Sequence, residues 1–348
     1  MNTKKVLHIL KSSEYSGAEK IAITIIKSMS SDYDMIYLAT EGSIREKLEE
    51  EDIKYVLLNK YSRENIKKIV DRIKPDVIHA HDFTASVICA SLKKNFLLVS
   101  HLHNDPLWVR KWNIKTVLYT LSLKKIDKVF VVSNLAYKNF VFKKWCIEKT
   151  KVIGNPLDKN ELIARVSKES WKKKYDLIFC GRMEEQKNPD RFIEIVEQLV
   201  NEGLDIKAVM LGRGHLLNLC QQQLKEKNLE KNIEIVGFVD NPYDYMAQSK
   251  ILCMPSRWEG FGLVAAEANL IGVPVLGTRA VGLLELYGEA PYEYCDTDDD
   301  FCRKIKELLT DTEIYEKVSR NSLEKAEKFT RIDLYREEIR MAYEGEKQ

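Results

Sequence analysis

The sequence predicts an α/β protein of two domains, each built around a parallel β-sheet. Three observations predict it. The chain has 348 residues, too many for one ordinary hydrophobic core; short apolar runs alternate with longer amphipathic stretches throughout; and the halves differ in charge. Residues 1–155 carry 27 Lys and Arg against 17 Asp and Glu (net +10), and residues 156–348 carry 28 against 36 (net −8). We therefore expect a domain boundary between Asn155 and Pro156.

The apolar runs have the length and continuity of strands buried on both faces of a parallel sheet. Those of the first half are KVLHIL, DMIYLAT, YVLLN, DVIHAH, NFLLVSHLH, KVFVVS and KVIGNP. Those of the second half are DLIFCG, IKAVMLG, IEIVGFV, KILCMPS and VPVLGT. Helix-like segments such as AEKIAITIIKSM, SRENIKKIVDRIK and NPDRFIEIVEQLVNE separate them. Each half is thus a predicted Rossmann-like domain, residues 1–155 and 156–330, and such sheets bind ligands beyond the carboxyl ends of their strands. The last segment, residues 331–348, has no following strand, so we expect a helix that packs back on the first domain.

Composition excludes several classes of protein. Hydrophobic residues make up 45% and charged residues 31% of the chain, as in soluble globular proteins. The start, MNTKKVLHIL, is interpreted as a strand and not as a signal peptide, and no apolar run has the length of a membrane span. The seven cysteines are scattered without a C-x-x-C pair. They predict reduced core thiols in a cytoplasmic protein.

The stretch RWEGFGLVAAEA, residues 257–268, is the strongest candidate for a site. Glu259, Gly260, Phe261 and Gly262 fall on a predicted strand-to-helix turn, where backbone N–H groups and the helix dipole favour an anion. Glu267 falls inside the apolar helix that follows, and its carboxylate can accept hydrogen bonds from two neighbouring hydroxyls. The alternative is a capping acid followed by a solvent-facing glutamate.

The Glu-x7-Glu pattern within PSRWEGFGLVAAEA resembles the donor-binding motif of the retaining glycosyltransferases of family 4, which have the GT-B fold. Other segments resemble family motifs in the expected order over nearly the whole chain. They are SGAE at residues 16–19, DVIHAH, SHLHNDP, VIGNPLD, FCGRMEEQKNPD, VGFVDN and GVPVLGTRAVGLLEL. The resemblance implies two facing domains with a deep cleft between them. It also implies an acceptor-binding first domain and a second domain that binds a nucleotide-sugar donor.

Carried over position by position, the resemblance implies a role for each matching residue. Arg182 and Lys187, after Gly181, would clamp the donor diphosphate, although Glu184 and Glu185 lie between them and offer an alternative pairing. Glu259 would bind the donor sugar, and the backbone of Phe261, Gly262 and Leu263 the phosphates. Glu267 would hold the ribose hydroxyls, Gly237 and Phe238 would flank the base, and Gly17 would leave room for the diphosphate. This chain has Val281-Gly282 where family members commonly have Gly-Gly, so the role of that loop and of Glu285 stays open.

The catalytic candidates are His103 in the first domain and Arg182, Lys187 and Glu259 in the second. His103 ends the apolar strand FLLVSHLH at the ligand-binding edge of the sheet. Strand alternation places His101 on the same face, and His79 and His81 compete with it. A buried structural histidine is the alternative.

The reaction implied is transfer of a sugar, with retention of configuration, from a nucleotide-sugar to a hydroxyl of a glycan or lipid-linked acceptor. UDP is the nucleotide we expect, and cell-surface polysaccharide synthesis the setting. No metal or other cofactor is expected, because fixed cations replace the metal and DTDDD, residues 296–300, is better explained as a helix cap. The segment LGRGH lacks the third glycine of a dinucleotide-binding loop. The alternatives are a nucleotide-sugar epimerase of the same fold and a non-catalytic sugar-nucleotide- or glycan-binding subunit.

The predicted first domain contains a basic, aromatic segment. Between Arg110 and Lys151 there are eleven Lys and Arg and two acids, Asp127 and Glu148, interleaved with eight aromatic residues from Trp108 to Trp145. This composition suits peripheral contact with an anionic membrane at the inner face of the cell, or a lipid-diphosphate acceptor. A helix that packs its apolar stripe on the sheet is the alternative. Nucleic acid is not an expected partner, since the second domain is acidic and no recognition module is present.

Overall fold

The computed structural model describes residues 3–288 and 292–346, in two compact units. Unit 1 comprises Met1–Pro156 and Ile332–Gln348, and unit 2 comprises Leu157–Arg331. The division after Pro156 lies one residue from the boundary expected from charge. The final helix predicted from the sequence covers residues 331–348, of which residues 347 and 348 lie outside the described part of the chain.

Unit 1 is built on a seven-stranded sheet, and every neighbouring pair of its strands is parallel. The strand order is β3-β2-β1-β4-β5-β6-β7. Its strands are β1 (Lys5–Ile9), β2 (Asp34–Thr40), β3 (Tyr55–Leu58), β4 (Val77–Ala80), β5 (Leu97–Leu102), β6 (Lys128–Val131) and β7 (Thr150–Val152). Each predicted apolar run of the first half thus overlaps a strand, and the four residues of β4 are all buried, as in a sheet covered on both faces.

The helices of unit 1 connect these strands. They are α1 (Gly17–Met29), α2 (Ile44–Glu50), α3 (Arg63–Ile73), α4 (Phe83–Leu92), α5 (Ile114–Ser122), α6 (Asn134–Asn139) and, at the end of the chain, α15 (Ile332–Glu344). Helix α3 shows how local sequence sets their limits. The Ser62 side chain accepts a hydrogen bond from the Asn65 amide at its start. Lys74 ends it in the left-handed region (φ 52°), directly before Pro75, which disfavours a helical residue before it.

Unit 2 is built on a five-stranded parallel sheet with the order β10-β9-β8-β11-β12. Its strands are β8 (Tyr175–Cys180), β9 (Ala208–Leu211), β10 (Ile233–Gly237), β11 (Ser249–Met254) and β12 (Val275–Gly277). Its helices are α7 (Lys159–Ala164), α8 (Pro189–Asn201), α9 (Leu217–Glu226), α10 (Tyr243–Ala247), α11 (Leu263–Leu270), α12 (Val281–Tyr287), α13 (Asp298–Thr310) and α14 (Thr312–Glu327). The two sheets confirm the predicted α/β class with two Rossmann-like units.

The remaining features bear on earlier expectations. All seven cysteines are free thiols, and six of them are buried. The acidic run DTDDD starts α13, where the Thr297 side chain and Asp300 form a reciprocal capping box. None of the helices within residues 3–288 and 292–346 is both long and apolar enough to cross a lipid bilayer.

Candidate active site

Backbone hydrogen bonds connect the carboxyl ends of three neighbouring strands in unit 2. Gly181 follows β8, Gly212 follows β9, and Gly237 ends β10. The Gly212 amide donates to the Gly237 carbonyl at 2.7 Å, and the Gly181 amide donates to the Leu211 carbonyl at 3.0 Å. A Cβ at Gly212, whose φ is 140°, would lie 1.8 Å from the Gly181 carbonyl oxygen. Only glycine therefore fits, and closely spaced backbone forms the edge at which such sheets bind ligands.

Lys187 and Glu259, predicted to contact the diphosphate and the sugar, form an ion pair in unit 2. The Lys187 Nζ lies 2.6 Å from the Glu259 Oε1, and the two side chains are 14% and 5% exposed. The methylene carbons of Lys187 lie over Gly181, where an added Cβ would be 3.3 Å away from them. The structure therefore brings these two predicted site residues together, with their charges neutralising each other.

Arg182, the other predicted cation, is exposed at the junction of two loops. Its Nη2 donates to the Gln186 side chain at 2.8 Å, and Gln186 Nε2 donates to the Trp258 carbonyl at 3.0 Å. The Arg257 amide donates to the Gln186 carbonyl at 2.8 Å. The loop after β8 and the loop after β11 are thus hydrogen-bonded to each other, and Arg182 is attached to both through Gln186.

The two acids between the predicted cations have a different neighbour. The carboxylates of Glu184 and Glu185 lie 3.1 and 3.0 Å from the two ring nitrogens of His215. Hydrogen bonds to Glu185 and then to Glu184 raise the pKa of His215. In this loop, Glu184 and Glu185 therefore pair with His215. The alternative, in which they neutralise Arg182 and Lys187, is not observed in the part of the chain that the structure describes.

Gly282 supports the turn that carries Glu259. Its amide donates to the Glu259 carbonyl at 3.0 Å. A Cβ at Gly282 would lie 2.5 Å from the carbonyl carbon of Phe261, closer than side chains tolerate. Gly282 is therefore the residue of the Val281-Gly282 pair that must be glycine. The Phe261 backbone occupies the space that a side chain at position 282 would need.

Helix α11 begins directly after this turn. Gly262 is its N-cap and adopts the left-handed conformation (φ 81°, ψ 43°), which glycine adopts without strain. The predicted phosphate-binding amides of Phe261, Gly262 and Leu263 therefore lie at a helix N-terminus, where backbone N–H groups lack intrahelical partners. Gly260 lies within the same turn. The Phe261 ring is buried, with its centroid 4.9 Å from that of Phe329, so it anchors the turn and leaves its backbone for a ligand.

Glu267, predicted to bind the ribose, lies in the second turn of α11. Its side chain is 5% exposed, which excludes the solvent-facing glutamate of the alternative interpretation. The Tyr243 hydroxyl lies 3.4 Å from the Glu267 Oε1, at the long limit of a hydrogen bond. The burial of Glu267 removes the solvent-facing alternative, and its contact with the ribose stays a prediction.

Exposed Phe238 and half-buried Arg213 are stacked at the same edge of the sheet. Phe238 follows Gly237 and is 43% exposed, and the Arg213 guanidinium carbon lies 4.6 Å from the centre of its ring. Arg213 belongs to LGRGH, so the sequence offered only the weak dinucleotide motif at this position. A cation stacked on an exposed aromatic ring forms a flat surface that suits a nucleobase.

Gly17 and His103 belong to unit 1. Gly17 is the first residue of α1, and the Ser16 hydroxyl before it donates to the buried Glu19 carboxylate at 2.5 Å. His103 directly follows β5, is 8% exposed, and has its Nε2 3.0 Å from the Nδ1 of His81. Burial lowers the pKa of His103 to about 3, so this histidine is neutral near pH 7.

Two relatives are similar to the chain over different lengths. An uncharacterized 41.2 kDa protein in the cps region of Klebsiella pneumoniae is 30% identical over 235 residues, which cover 62% of this chain and 63% of that protein. The chain thus matches less than two thirds of that relative's length. The O-antigen biosynthesis glycosyltransferase WclY of Escherichia coli is 22% identical over 94% of this chain and 92% of its own.

A solved structure has the same fold over the whole chain. Alr3699/HepE of Anabaena, crystallised in complex with UDP and glucose, superposes with a TM-score of 0.86. The sequences are 20% identical, and the match covers 98% of this chain and 99% of HepE.

Two family models match consecutive parts of the chain. The model described as Glycosyltransferase Family 4 matches residues 15–161, and the model described as Glycosyl transferases group 1 matches residues 161–325. The first model covers most of unit 1, and the second lies within unit 2, where the candidate residues of the sheet edge are found. The chain therefore belongs to the GT-B glycosyltransferases of the family 4 type.

Proposed function

We propose that the protein is a retaining, metal-independent glycosyltransferase. It moves a sugar from a UDP-sugar to a hydroxyl of a glycan or lipid-linked acceptor during synthesis of a cell-surface polysaccharide. One observation carries the proposal. Within unit 2, the Lys187–Glu259 pair, the start of α11 and the buried Glu267 are built on the carboxyl ends of the strands. WclY, by its name, and HepE, by its bound UDP and glucose, support the polysaccharide setting and the choice of UDP.

The proposed role of this edge is to hold the departing diphosphate. Phosphate oxygens accept hydrogen bonds from the α11 amides, and the charges of Lys187 and Arg182 compensate the negative charge that develops as the glycosidic bond breaks. Because Lys187 already contacts one oxygen of Glu259, the other oxygen of that carboxylate can accept from a sugar hydroxyl. The pair thus connects the leaving group to the sugar, and removal of such a stabilising group typically lowers the rate about 10²–10³-fold.

Retention and metal independence are parts of the proposal that need their own measurement. With fixed cations at the diphosphate, turnover in excess EDTA should equal turnover without it. The anomeric configuration of the product, measured by NMR, should match that of the donor. An epimerase would instead convert free UDP-sugars without any acceptor, and a non-catalytic subunit would bind the donor without hydrolysing or transferring it.

The deciding experiment measures donor binding by titration calorimetry with EDTA present. We expect UDP-sugars to bind better than GDP-, ADP- or dTDP-sugars, and Glu267→Ala to lower UDP-sugar affinity about 10–100-fold, since hydrogen bonds to a charged group contribute about 1.5–3 kcal/mol. Glu293→Ala is the matched control. Glu293 is an equally buried glutamate of unit 2, held by Ser322 and Lys325, so its loss should lower stability and leave affinity unchanged. Equal affinity losses in the two variants would refute the ribose contact.

The proposal includes peripheral contact between unit 1 and an anionic membrane at the inner face of the cell. Helix α5 exposes an apolar stripe in the helical spacing i, i+3, i+4 and i+7, while Thr116 and Tyr119 are its buried residues. The stripe is made of Ile114, Val117, Leu118 and Leu121. The four aliphatic residues therefore face outward, whereas the aromatic Tyr119 of the same helix packs in the core of unit 1. Trp112 and Trp145, both about half exposed, lie edge to face 5.2 Å apart.

The charge around this apolar surface supports an anionic membrane as its partner. Exposed cations precede, interrupt and follow the stripe: Lys111, Lys115, Lys124 and Lys125. Exposed apolar side chains with flanking lysines suit the boundary between headgroups and acyl chains of an anionic bilayer, where each lysine contributes about 1 kcal/mol. A protein partner would have to cover the apolar stripe and, at the same time, place each flanking lysine either in water or opposite an acidic residue.

Vesicle sedimentation tests the membrane contact. We expect binding to vesicles that contain phosphatidylglycerol, weakened by added salt, and little binding to phosphatidylcholine alone. The double variant Ile114→Ser/Leu121→Ser should lose binding. Leu334→Ser, which changes an exposed leucine of α15, should keep it. Equal binding to both kinds of vesicle, or self-association in place of binding, would contradict the proposal.

A further inference from the structure

Five of the six histidines of the chain are buried side by side in unit 1. His8 lies on β1 opposite His79 on β4. Residues two apart on a strand face the same side, so His81 follows His79 and His103 follows His101 on that side. Ring centroids of neighbouring members lie 4.0–5.6 Å apart. The group therefore arises from three adjacent strands that each contribute histidine to one face of the sheet.

Hydrogen bonds connect these rings and the hydroxyl of Tyr343, on α15, into one unbranched series, which we call the histidine chain. In order, its contacts are His103 Nε2–His81 Nδ1 (3.0 Å), His81 Nε2–His8 Nδ1 (2.9 Å), His8 Nε2–Tyr343 OH (3.4 Å), Tyr343 OH–His79 Nδ1 (2.7 Å) and His79 Nε2–His101 Nδ1 (3.2 Å). The two end atoms, His103 Nδ1 and His101 Nε2, are buried without a hydrogen-bond partner among the described residues. Every contact between two histidines joins an Nδ1 to an Nε2.

Each ring of the histidine chain is neutral. Burial lowers the pKa of every one of the five histidines below its usual range, to about 3 for His8 and His103. A neutral imidazole has one N–H donor and one acceptor nitrogen. An interior ring that donates on one side must therefore accept on the other, and the direction of donation passes unchanged from ring to ring.

Tyr343 extends this constraint across the whole series. Its hydroxyl has one hydrogen, so it cannot donate to His8 and His79 at once. If it accepted from both, its own buried hydrogen would lose its partner, which is costly. We propose that the histidine chain holds all five histidines in one common tautomer, all Nδ1–H or all Nε2–H, and that Tyr343 is thereby a positioning residue that couples the tautomer of His103 to those of His79 and His101.

The consequence for His103 rests on the proposed function. With all hydrogens on Nε2, the free Nδ1 of His103 is an acceptor and can orient a hydroxyl. With all hydrogens on Nδ1, the same atom is a donor. A lone buried histidine would exchange between these two forms by itself, whereas here the change requires the other four rings and Tyr343 to change with it. Through Tyr343, the last helix thus couples the hydrogen-bonding character of the catalytic candidate to the tautomers of His79 and His101.

Nitrogen NMR of the full-length protein with ¹⁵N-labelled histidine tests the proposal without any turnover. We expect five histidines in the same tautomer, and a sixth, the exposed His215, that titrates. In Tyr343→Phe, the His8–His81–His103 part and the His79–His101 part should no longer share one tautomer. Tyr335→Phe is the matched control, because its buried hydroxyl, on the same helix, has no recorded partner among the described residues. Mixed tautomers in the unchanged protein, or a common tautomer that survives Tyr343→Phe, would overturn the proposal.

Two further readings separate this inference from its rivals. His81, His101 and His103 also have ring nitrogens close enough to hold one metal ion, which is a rival interpretation. If the rings are hydrogen-bonded to one another as proposed, added Zn²⁺ should leave the histidine signals unchanged. Stoichiometric displacement of these signals would favour a metal site instead. In transfer assays, Tyr343→Phe should lower kcat on the order of tenfold, less than the roughly 10²–10⁴-fold supplied by a complete general acid or base, with an unchanged KM for the donor. A common tautomer in a protein that transfers no sugar would refute the proposed function and leave this inference standing.

Discussion

The Lys187–Glu259 pair has unequal halves, and a stability measurement should reveal the asymmetry. Glu259 is 5% exposed and Lys187 is 14% exposed, so a lysine that loses its partner can turn toward water more easily than the glutamate can. Breaking a buried pair by removing one partner costs about 3–5 kcal/mol. We expect Lys187→Ala to fall in that range, Glu259→Ala to cost less, and the double variant to cost less than the sum, as measured by urea unfolding. Additive losses would indicate that the two charges do not interact.

A second prediction at this scale concerns the loss of stability of unit 1 at acidic pH. Burial lowers the pKa of His8 and His103 to about 3, whereas an unfolded histidine has a pKa of about 6.5. Between these values the unfolded chain binds protons that the folded chain does not, so unfolding becomes easier as the pH falls below 6.5. Each of the two histidines should reduce the unfolding free energy of unit 1 by about 2 kcal/mol between pH 7 and pH 5. Denaturant unfolding followed at both values measures the change, and a flat profile would contradict the neutral state.

These residue-level features mark the limit of what the sequence predicts. The resemblance identified Lys187 and Glu259 as site residues, and the structure shows them bonded to each other, a contact between positions 72 residues apart. The histidine chain is hidden in the same way. Alternation along a strand relates His101 to His103, but the order of the strands brings His8 beside His81, and the packing of α15 brings Tyr343 beside His79.

At the level of elements, the strands of both sheets could be predicted because buried parallel strands are continuous apolar runs with little ambiguity. Helix α5 was the harder case. Its apolar stripe has the spacing of any amphipathic helix, and periodicity alone cannot tell whether the stripe faces a sheet or the outside. The structure turns Tyr119 inward and Ile114 outward. The element was therefore predictable, and its orientation was not.

The support of α11 by the loop before α12 gives a prediction at the same scale. Gly282→Ala places a methyl group 2.5 Å from the Phe261 carbonyl carbon and should displace the turn that starts α11. We expect a loss of stability of about 1–3 kcal/mol from overpacking, together with weaker UDP-sugar binding in calorimetry. Gly203→Ala is the control, since an added Cβ there meets nothing and the cost is backbone strain at φ 91° alone. Both variants should lose stability, and only Gly282→Ala should lose affinity.

At the scale of the whole molecule, helix α15 follows unit 2 in the sequence and belongs to unit 1. Helix α15 buries Tyr335, Ile339 and Tyr343 in unit 1, and Tyr33 donates to Glu344 at 2.8 Å. A chain that ends at Arg331 loses these contacts and leaves the histidine chain without its hydroxyl. We expect hydrogen exchange measured by mass spectrometry to show faster exchange in β1, β4 and β5, with unchanged protection in β8–β12, because unit 2 retains all of its residues. Tyr335→Phe in the full chain controls for the loss of one buried hydroxyl, and equal loss of protection in both sheets would contradict the assignment of α15 to unit 1.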